Sequence, residues 1–257
     1  QELFNMFSAQ FGDLGVRTSY LLCSRRANSV PTIERDTDIR SILEIQYNGS
    51  LANLLETRFG IDPASSSGEV TLSHQRLYKD TIVLPKEIDT VYADVLNFEK
   101  TIYRQAEKEK KAYLAYLKNM GVTKENSTAV VDIGFAGTIQ KYLHKLTAMD
   151  LRGLYFVTNE KARNNPLAKK MHSCFGSFVE FKNANCIYNY SLTLEAVLTA
   201  QAGQFIRFDD KSQPVFGSSV HTGETWPVVQ AIHSGIIEYF RDAFTWFGDA
   251  LLAHEPQ

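Results

Sequence analysis

The feature that most constrains the fold is a stretch near the middle of the chain, where an apolar run passes through an aspartate into a glycine-bounded turn. Residues 129–133 (AVVDI) are apolar except for Asp132, and Gly134 and Gly137 bound the turn that follows. Apolar residues then recur with helical spacing over residues 138–147. A strand, a turn and a helix in this order are typical of open α/β sheets, in which ligands bind at the carboxyl ends of the strands.

A second apolar run, residues 153–158 (GLYFVT), follows this helix. Strand–helix–strand order with two nearly wholly apolar strands predicts a parallel sheet covered by helices on both faces. The sequence therefore predicts an α/β protein with a Rossmann-like sheet. Helical spacing in residues 39–59 and 96–120 adds a helical N-terminal insertion, and a long C-terminal helix is predicted from Trp226 onward.

Length and composition are those of an ordinary folded protein, with 257 residues, 44% hydrophobic and 22% charged. We expect residues 1–257 to form a single α/β domain. Because the chain does not begin with Met, we also expect it to be excised from a longer multidomain protein. No apolar run is long enough to cross a bilayer, and the first residues do not have the pattern of a secretory signal, which favours a cytoplasmic location.

Charge and metal-ligand patterns exclude some classes of function. The formal net charge of −2 gives no global attraction for nucleic acid, so no nucleic-acid partner is expected. The six histidines show no metal-binding spacing, and no metal site built from protein side chains is predicted. Cys23, Cys174 and Cys186 lie in no CxxC pair, which indicates reduced cysteines in the core of a cytoplasmic protein.

The turn after Asp132 is a candidate phosphate site. Gly134 and Gly137 can adopt backbone angles closed to other residues and let a ligand approach the main chain. Exposed N–H groups at the start of the next helix, with the Thr138 hydroxyl, would offer an anion site. Asp132 would accept hydrogen bonds from a sugar diol. The alternative is that the glycines only make a tight turn and that Asp132 caps the helix.

Known phosphate and cofactor loops match this turn only in part. A P-loop needs a lysine that is missing here. A methyltransferase loop matches at Asp132 and Gly134 but has Ala136 and Thr138 at its later glycine positions. A phosphoribosyltransferase loop matches in the strand, one acid and the closing Gly137-Thr138, while its second acid and first threonine are missing.

Three further groups of polar residues are candidates for the site. Ser24, Arg25 and Arg26 follow an apolar run at residues 18–23, which we predict to be a buried strand ending at the same sheet edge. Arginine suits a diphosphate because its planar fork makes paired hydrogen bonds; the alternative is that both are ordinary surface residues. Arg58 is a weaker candidate, since it also fits a cation at a helix terminus.

Glu195 lies among apolar residues and is predicted to be partly buried. It would serve either as a proton acceptor or as the structural partner of an arginine. Asp36 and Asp38 are predicted to cap a helix.

The chain as a whole resembles a domain found beside haloacid-dehalogenase-like phosphatases in bacterial capsule and O-antigen proteins. The resemblance covers nearly the full length and is carried by residues 24–27 (SRRA), 55–60 (LETRFG), 130–140 (VVDIGFAGTIQ), 194–200 (LEAVLTA) and 214–216 (PVF). It implies a glycan phosphoribosyltransferase, which moves 5-phosphoribose from phosphoribosyl diphosphate to a glycan hydroxyl. The acceptor would be lipid-linked, and the phosphatase, in cis or in trans, would remove the 5-phosphate at the inner face of the cytoplasmic membrane.

The resemblance also implies roles for the candidate residues. Backbone amides of Phe135, Ala136, Gly137 and Thr138 would hold the 5-phosphate, and Asp132 would hold the ribose hydroxyls. Arg25 and Arg26 would neutralise the departing diphosphate together with Mg²⁺, which would be bound mainly through that diphosphate. Glu195, Asp36 and Asp38 are the candidates for a carboxylate base.

Two other functions remain open from the sequence. A methyltransferase using S-adenosylmethionine is supported by Asp132 and Gly134, and by Glu160 just past the second strand as a ribose ligand. The third possibility is a non-catalytic module that docks a polysaccharide assembly complex or a partnered phosphatase.

Overall fold

Helices surround three small sheets in the structure, a computed structural model that describes residues 2–12, 15–66, 72–180, 185–200, 202–218, 223 and 225–251. The α-helices are α1 (Glu2–Phe11), α2 (Arg25–Ser29), α3 (Asp36–Leu43), α4 (Leu51–Leu54), α5 (His74–Tyr78), α6 (Ile88–Leu96), α7 (Glu99–Asn119), α8 (Thr138–Thr147), α9 (Cys186–Asn189), α10 (Ser191–Val197) and α11 (Thr225–Phe247). The strands are β1 (Tyr47–Ser50), β2 (Thr81–Leu84), β3 (Ala129–Asp132), β4 (Arg152–Tyr155), β5 (Met171–Ser173), β6 (Phe205–Phe208) and β7 (Pro214–Phe216).

The central sheet is parallel, as the sequence predicts. Its strand order is β3–β4–β5, and Asp132 at the end of β3 lies opposite Tyr155 at the end of β4. Helix α8 connects β3 to β4 over the residues expected for it. The β1–β2 and β6–β7 pairs are antiparallel. The chain is therefore a mixed α/β protein with a parallel three-stranded sheet.

One face of this sheet is open, so the prediction of helices on both faces is wrong for the part of the chain that the structure describes. Val131 is 73% exposed and Leu154 is 41% exposed, whereas Tyr155 on the other face is buried. Strands of three or four residues alternate between faces. An apolar run as short as β3 therefore does not require that both faces are covered.

The N-terminal part is mostly helical, as predicted, and also contains the antiparallel β1–β2 pair. Its core is built from one face each of α3, α4 and α6, with Ile39, Leu54 and Val95 fully buried. Helix α4 continues as a π-helical turn, Leu55–Phe59, which ends at Gly60 with a φ of +71°. A left-handed residue at this position is the usual way to terminate a helix.

Helix α7 joins this core to a second one. Ile102 and Ala106 in its first half pack in the N-terminal core, and Tyr113 and Leu117 in its second half pack in the core beneath α8 and β6. These four residues lie on one face, as the sequence predicts. The second core fixes α8, and with it the turn after Asp132.

Residues 18–23 do not form the predicted buried strand. The backbone of Leu22 bonds to two tyrosines of α7 instead: its N–H donates to the Tyr116 hydroxyl at 2.8 Å, and its carbonyl accepts from the Tyr113 hydroxyl at 2.9 Å. Since side chains satisfy these backbone groups, no neighbouring strand is needed.

The predicted long C-terminal helix is confirmed as α11. Phe7 and Phe11 of α1 pack on Phe244 of α11, with ring centroids 5.9 and 5.7 Å apart. Within the described ranges, no helix is long and apolar enough to cross a membrane. Cys174 is exposed, which corrects the prediction that it lies in the core.

Candidate functional site

The turn after β3 presents backbone N–H groups outward, because its carbonyl groups are held from the inside. Asn159 N–H donates to the Phe135 carbonyl at 2.9 Å. The Asn165 side-chain amide donates to the carbonyls of Ala136 and Gly137 at 2.9 and 3.1 Å. In a trans peptide unit the C=O and the following N–H point in opposite directions. The N–H groups of residues 136–138 therefore point away from both asparagines.

These amides are available to a ligand. Helix α8 begins at Thr138 with Gly137, at a φ of +68°, as its N-cap and without a side-chain cap. Within the described part of the chain, the N–H groups of residues 135–138 donate to no acceptor. Unsatisfied amides at a helix N-terminus favour an anion.

Close packing fixes the position of the turn. A Cβ on Gly134 would lie 2.5 Å from the carbonyl oxygen of Val157. A Cβ on Gly137 would collide with the Met171 side chain. The sequence did not single out Asn159 or Asn165, and no spacing in it marks them as supports of the turn.

Asp132 lies beside this turn in a partly buried position. Burial raises its pKa above the usual value, and the amides of Gly134 and Ile133 act in the opposite direction. The Glu195 carboxylate raises the pKa of Asp132 further, while the Arg25 guanidinium lowers it. The charges of two other predicted site residues, Arg25 and Glu195, thus act on Asp132.

Arg25 is exposed at the start of α2 and remains a candidate site residue. Its charge also acts on Tyr142 of α8, lowering a pKa that burial raises. Ser24, by contrast, is buried as the N-cap of α2, and its hydroxyl accepts from Ala27 N–H at 2.9 Å. The predicted substrate role of Ser24 is therefore corrected to a helix cap.

Arg26 points into the protein, away from any ligand. Its guanidinium forms a two-pronged ion pair with Glu109 of α7 and also donates to the Ile206 carbonyl at 2.9 Å. Both side chains of the pair are nearly inaccessible. The prediction that Arg26 neutralises a diphosphate is wrong, because its charge is already satisfied by a buried carboxylate.

Arg58 is also a structural residue. It donates to the carbonyls of Ile42 and Gln46 at 2.9 and 2.8 Å and lies over the Tyr47 ring. Ile42 belongs to the last turn of α3, where a cation is favoured by the helix dipole. The substrate role proposed for Arg58 is thereby corrected.

Asp36 and Asp38 begin α3, as predicted for caps. Asp38 accepts from the N–H groups of Glu34 and Arg35 and binds Lys145 of α8 at 2.5 Å. Asp36 accepts from the N–H of Thr37 at 2.8 Å. Because its oxygens are engaged in this way, Asp38 is not positioned as a general base, and Asp36 lies on the same helix end.

Glu195 is exposed on α10, whereas the sequence predicted partial burial. Its neighbours Leu192 and Leu198 are exposed as well, so the apolar residues around it do not form a covering. An exposed carboxylate is accessible to an incoming hydroxyl group.

Cys23 and Tyr155 border Asp132 and were missed as site residues. Burial, together with the nearby Asp132 charge, raises the pKa of the Cys23 thiol to about 11. Burial also raises the pKa of Tyr155, whose hydroxyl donates to Gln140 Oε1 at 2.8 Å. Both groups are protonated at neutral pH. The only sequence signal for Cys23 is that it immediately precedes Ser24.

A magnesium ion at this site would have to be held mainly by the phosphates of a ligand. No cluster of three or more histidine, cysteine or acidic side chains that could hold a metal occurs among the described residues. Mg²⁺ commonly binds through substrate phosphates plus one or two carboxylates.

The site is an open edge of the sheet. The two best-formed surface depressions found in the described structure lie elsewhere: one is between α7 and the β6–β7 turn, and the other is beside Glu160 and Arg163. Neither includes Asp132. The amides of residues 136–138 and the groups whose charges act on Asp132 lie at the sheet edge instead.

Comparison with known proteins does not assign the chain to a class. No family model matches it. No characterised protein matches it significantly either.

Proposed function

We propose that the chain is a glycan phosphoribosyltransferase, which transfers 5-phosphoribose from phosphoribosyl diphosphate to a glycan hydroxyl in bacterial surface polysaccharide synthesis. The observation that carries the proposal is the convergence of Asp132, Arg25 and Glu195 beside outward-pointing amides at the end of a parallel strand. An anion site, a hydroxyl acceptor, a cation and a second carboxylate are the groups that this donor and reaction require.

The donor would bind along the sheet edge. Amides of residues 136–138 bind the 5-phosphate, and Asp132 accepts hydrogen bonds from the ribose hydroxyls. Arg25 lies over the diphosphate, where its charge stabilises the negative charge that develops as the bond to C1 breaks. Magnesium, when bound with the diphosphate, neutralises the same leaving group.

Glu195 is the proposed base. It accepts the proton of the acceptor hydroxyl as that oxygen attacks C1 of the ribose. Its exposure on α10 allows a bulky glycan to approach, and the engagement of Asp38 in a helix cap argues against the alternative base on α3.

The proposal also covers the sheet arrangement, the acceptor, the partner enzyme and the cellular location. We infer a Rossmann-like arrangement of the sheet, a lipid-linked acceptor, and a haloacid-dehalogenase-like phosphatase, in cis or in trans, that removes the 5-phosphate. A cytoplasmic location at the inner face of the membrane would bring these together.

Calorimetric titration tests the donor. Phosphoribosyl diphosphate with Mg²⁺ is expected to bind the wild-type chain, and Arg25→Ala is expected to weaken binding by about tenfold or more, the loss of one charge-assisted contact. Arg104→Ala, which removes an exposed arginine of α7 beside the β6–β7 turn, is the matched control and should bind as the wild type does.

The same titration also tests the two alternative functions, a methyltransferase and a docking module. Binding of S-adenosylmethionine in place of the donor would identify a methyltransferase and reject the proposal. Binding of neither compound would favour the docking module. If Arg25→Ala and Arg104→Ala bind the donor equally well, the role of Arg25 is rejected.

A further inference from the structure

Helix α11 has a row of exposed apolar residues that no other described part of the chain covers. At 100° per residue, Val228, Ile232, Gly235, Tyr239 and Trp246 lie within a narrow band along the 23-residue helix. Val228 is 61% exposed, Tyr239 is 68% exposed and Trp246 is 72% exposed. We call these five residues the α11 stripe.

The stripe is separate from the face of α11 that packs on the protein. Val229, Ala243 and Phe244 are buried, and they lie on an adjacent side of the helix. The stripe residues follow one another at intervals of four, three, four and seven. Such spacing forms the contact seam between two helices that cross at a shallow angle.

The sizes of the stripe residues change along the helix. The first half carries Val228, Ile232 and Gly235, and the second half carries Tyr239 and Trp246. A Cβ on Gly235 would meet nothing within 4 Å, so the helix surface is open there. The side chains in the first half of the stripe are therefore short, whereas those in the second half project from the helix.

We propose that the α11 stripe is the contact surface for a second copy of this chain, with the two α11 helices antiparallel about a two-fold axis. In that arrangement Tyr239 lies opposite Gly235 of the other copy, and Trp246 lies opposite Val228. The two large aromatic residues then face small ones, as close packing requires, while Ile232 lies opposite Asp242 of the other copy. A two-fold interface requires one patch to be complementary to itself, and the stripe meets that requirement.

The available area suits a weak dimer. Aromatic side chains bury about 150–250 Å² each. Covering the stripe and the neighbouring exposed Phe247 on both copies would bury about 1,000 Å², which is near the lower limit for a specific interface. Glu238 and Asp242 are also exposed beside the stripe and would bring like charges together. Added salt should therefore strengthen the association.

Sedimentation velocity of the whole chain from low to high micromolar concentration tests the proposal. The wild type is expected to show a monomer–dimer equilibrium. Gly235→Tyr fills the space that Tyr239 of the other copy needs, and it should weaken the dimer by at least about tenfold. Because tyrosine is a better helix former than glycine, this variant should melt no lower than the wild type.

A variant in which the residues at positions 235 and 239 are exchanged tests the relative orientation of the two α11 helices. Tyr239→Gly alone should weaken the dimer, and combining it with Gly235→Tyr should restore association, because positions 235 and 239 face each other only when the helices are antiparallel. Tyr190→Ala, which removes an exposed tyrosine on another element, is the control and should dimerise as the wild type does.

Three results would overturn the proposal: a chain that stays monomeric at all concentrations, unchanged association in Gly235→Tyr, or no recovery in the swapped variant. Co-sedimentation of the monomer with phosphatidylcholine vesicles would assign the stripe to a membrane surface and would also overturn it. These measurements need no donor, so they are independent of the proposed enzyme activity.

Discussion

Arg26 and Glu109 form an ion pair whose side chains are only 8% and 3% exposed. Arg26 Nη2 lies 2.7 Å from Glu109 Oε1, and Nη1 contacts the other carboxylate oxygen. The pair links α2 to α7, and the bond to the Ile206 carbonyl adds β6. Arg25, one residue earlier, is exposed and acts on Asp132. Two consecutive arginines thus have different roles.

We expect Arg26→Ala to lower the free energy of unfolding by about 3–5 kcal/mol, because it leaves the Glu109 carboxylate buried without a partner. Arg25→Ala should change it by no more than about 0.5 kcal/mol, as for other exposed positions. Urea unfolding of the two variants measures both values. Similar losses in the two variants would contradict the assignment of Arg26 to the interior.

Asp132→Asn should separate activity from stability. Burial raises the pKa of Asp132, so the folded chain favours the protonated form. The cost of ionising it is absent below the unfolded-state pKa of about 3.8 and is fully present once the pH rises through the folded-state pKa. Asparagine avoids that cost.

The variant is therefore expected to be at least as stable as the wild type at pH 7, with the difference vanishing below the pKa of the unfolded state, and to lose transfer activity. Thermal unfolding at several pH values and a radiolabelled transfer assay measure the two effects. Normal turnover in the variant would remove Asp132 from the mechanism.

Asp38 should show the opposite pH dependence. Burial raises its pKa, but the hydrogen bond and charge of Lys145 and the amides of Glu34 and Arg35 together lower it below the usual 3.8. The resulting stability is present above that value and is lost as the pH falls through the folded-state pKa.

Asp38→Ala should therefore cost about 1 kcal/mol at neutral pH, the usual value of a helix cap, and progressively less in acid. Its turnover should match the wild type, whereas Glu195→Gln should lose transfer. Chemical denaturation across pH, with the transfer assay, tests both statements. A catalytic loss in Asp38→Ala at unchanged stability would move the base from Glu195 to Asp38.

Gly134→Ala should damage the turn that holds the amides. Gly134 has a φ of +151°, and an added Cβ would meet the backbone oxygen of Val157. Strained backbone of this kind costs about 1–3 kcal/mol even without a clash. Gly12→Ala, at a φ of +79° with open space around it, is the matched control.

The Gly134→Ala variant should lose more stability than the Gly12→Ala control and should bind phosphoribosyl diphosphate more weakly. Urea unfolding and calorimetry give the two quantities. Equal stability and equal donor affinity in the two variants would show that the turn after Asp132 tolerates a side chain and does not depend on its close packing.

Local patterns in the sequence determined much of this protein. The helical spacing of α7 and α11 and the caps of α3 depend on neighbours within a few residues, and each was predicted correctly. The strand, turn and helix from β3 through α8 were also predicted, because an apolar run followed by two glycines restricts the backbone locally.

Only the tertiary structure decided which polar residues meet. Arg26 and Glu109 are 83 residues apart, and nothing near either of them marks the other as its partner. Residues 18–23 have the composition of a strand, but two tyrosine hydroxyls of α7 satisfy the backbone of Leu22. Burial, charge pairing and backbone hydrogen bonding at these positions depend on residues distant in the chain, and so sequence patterns alone could not assign them.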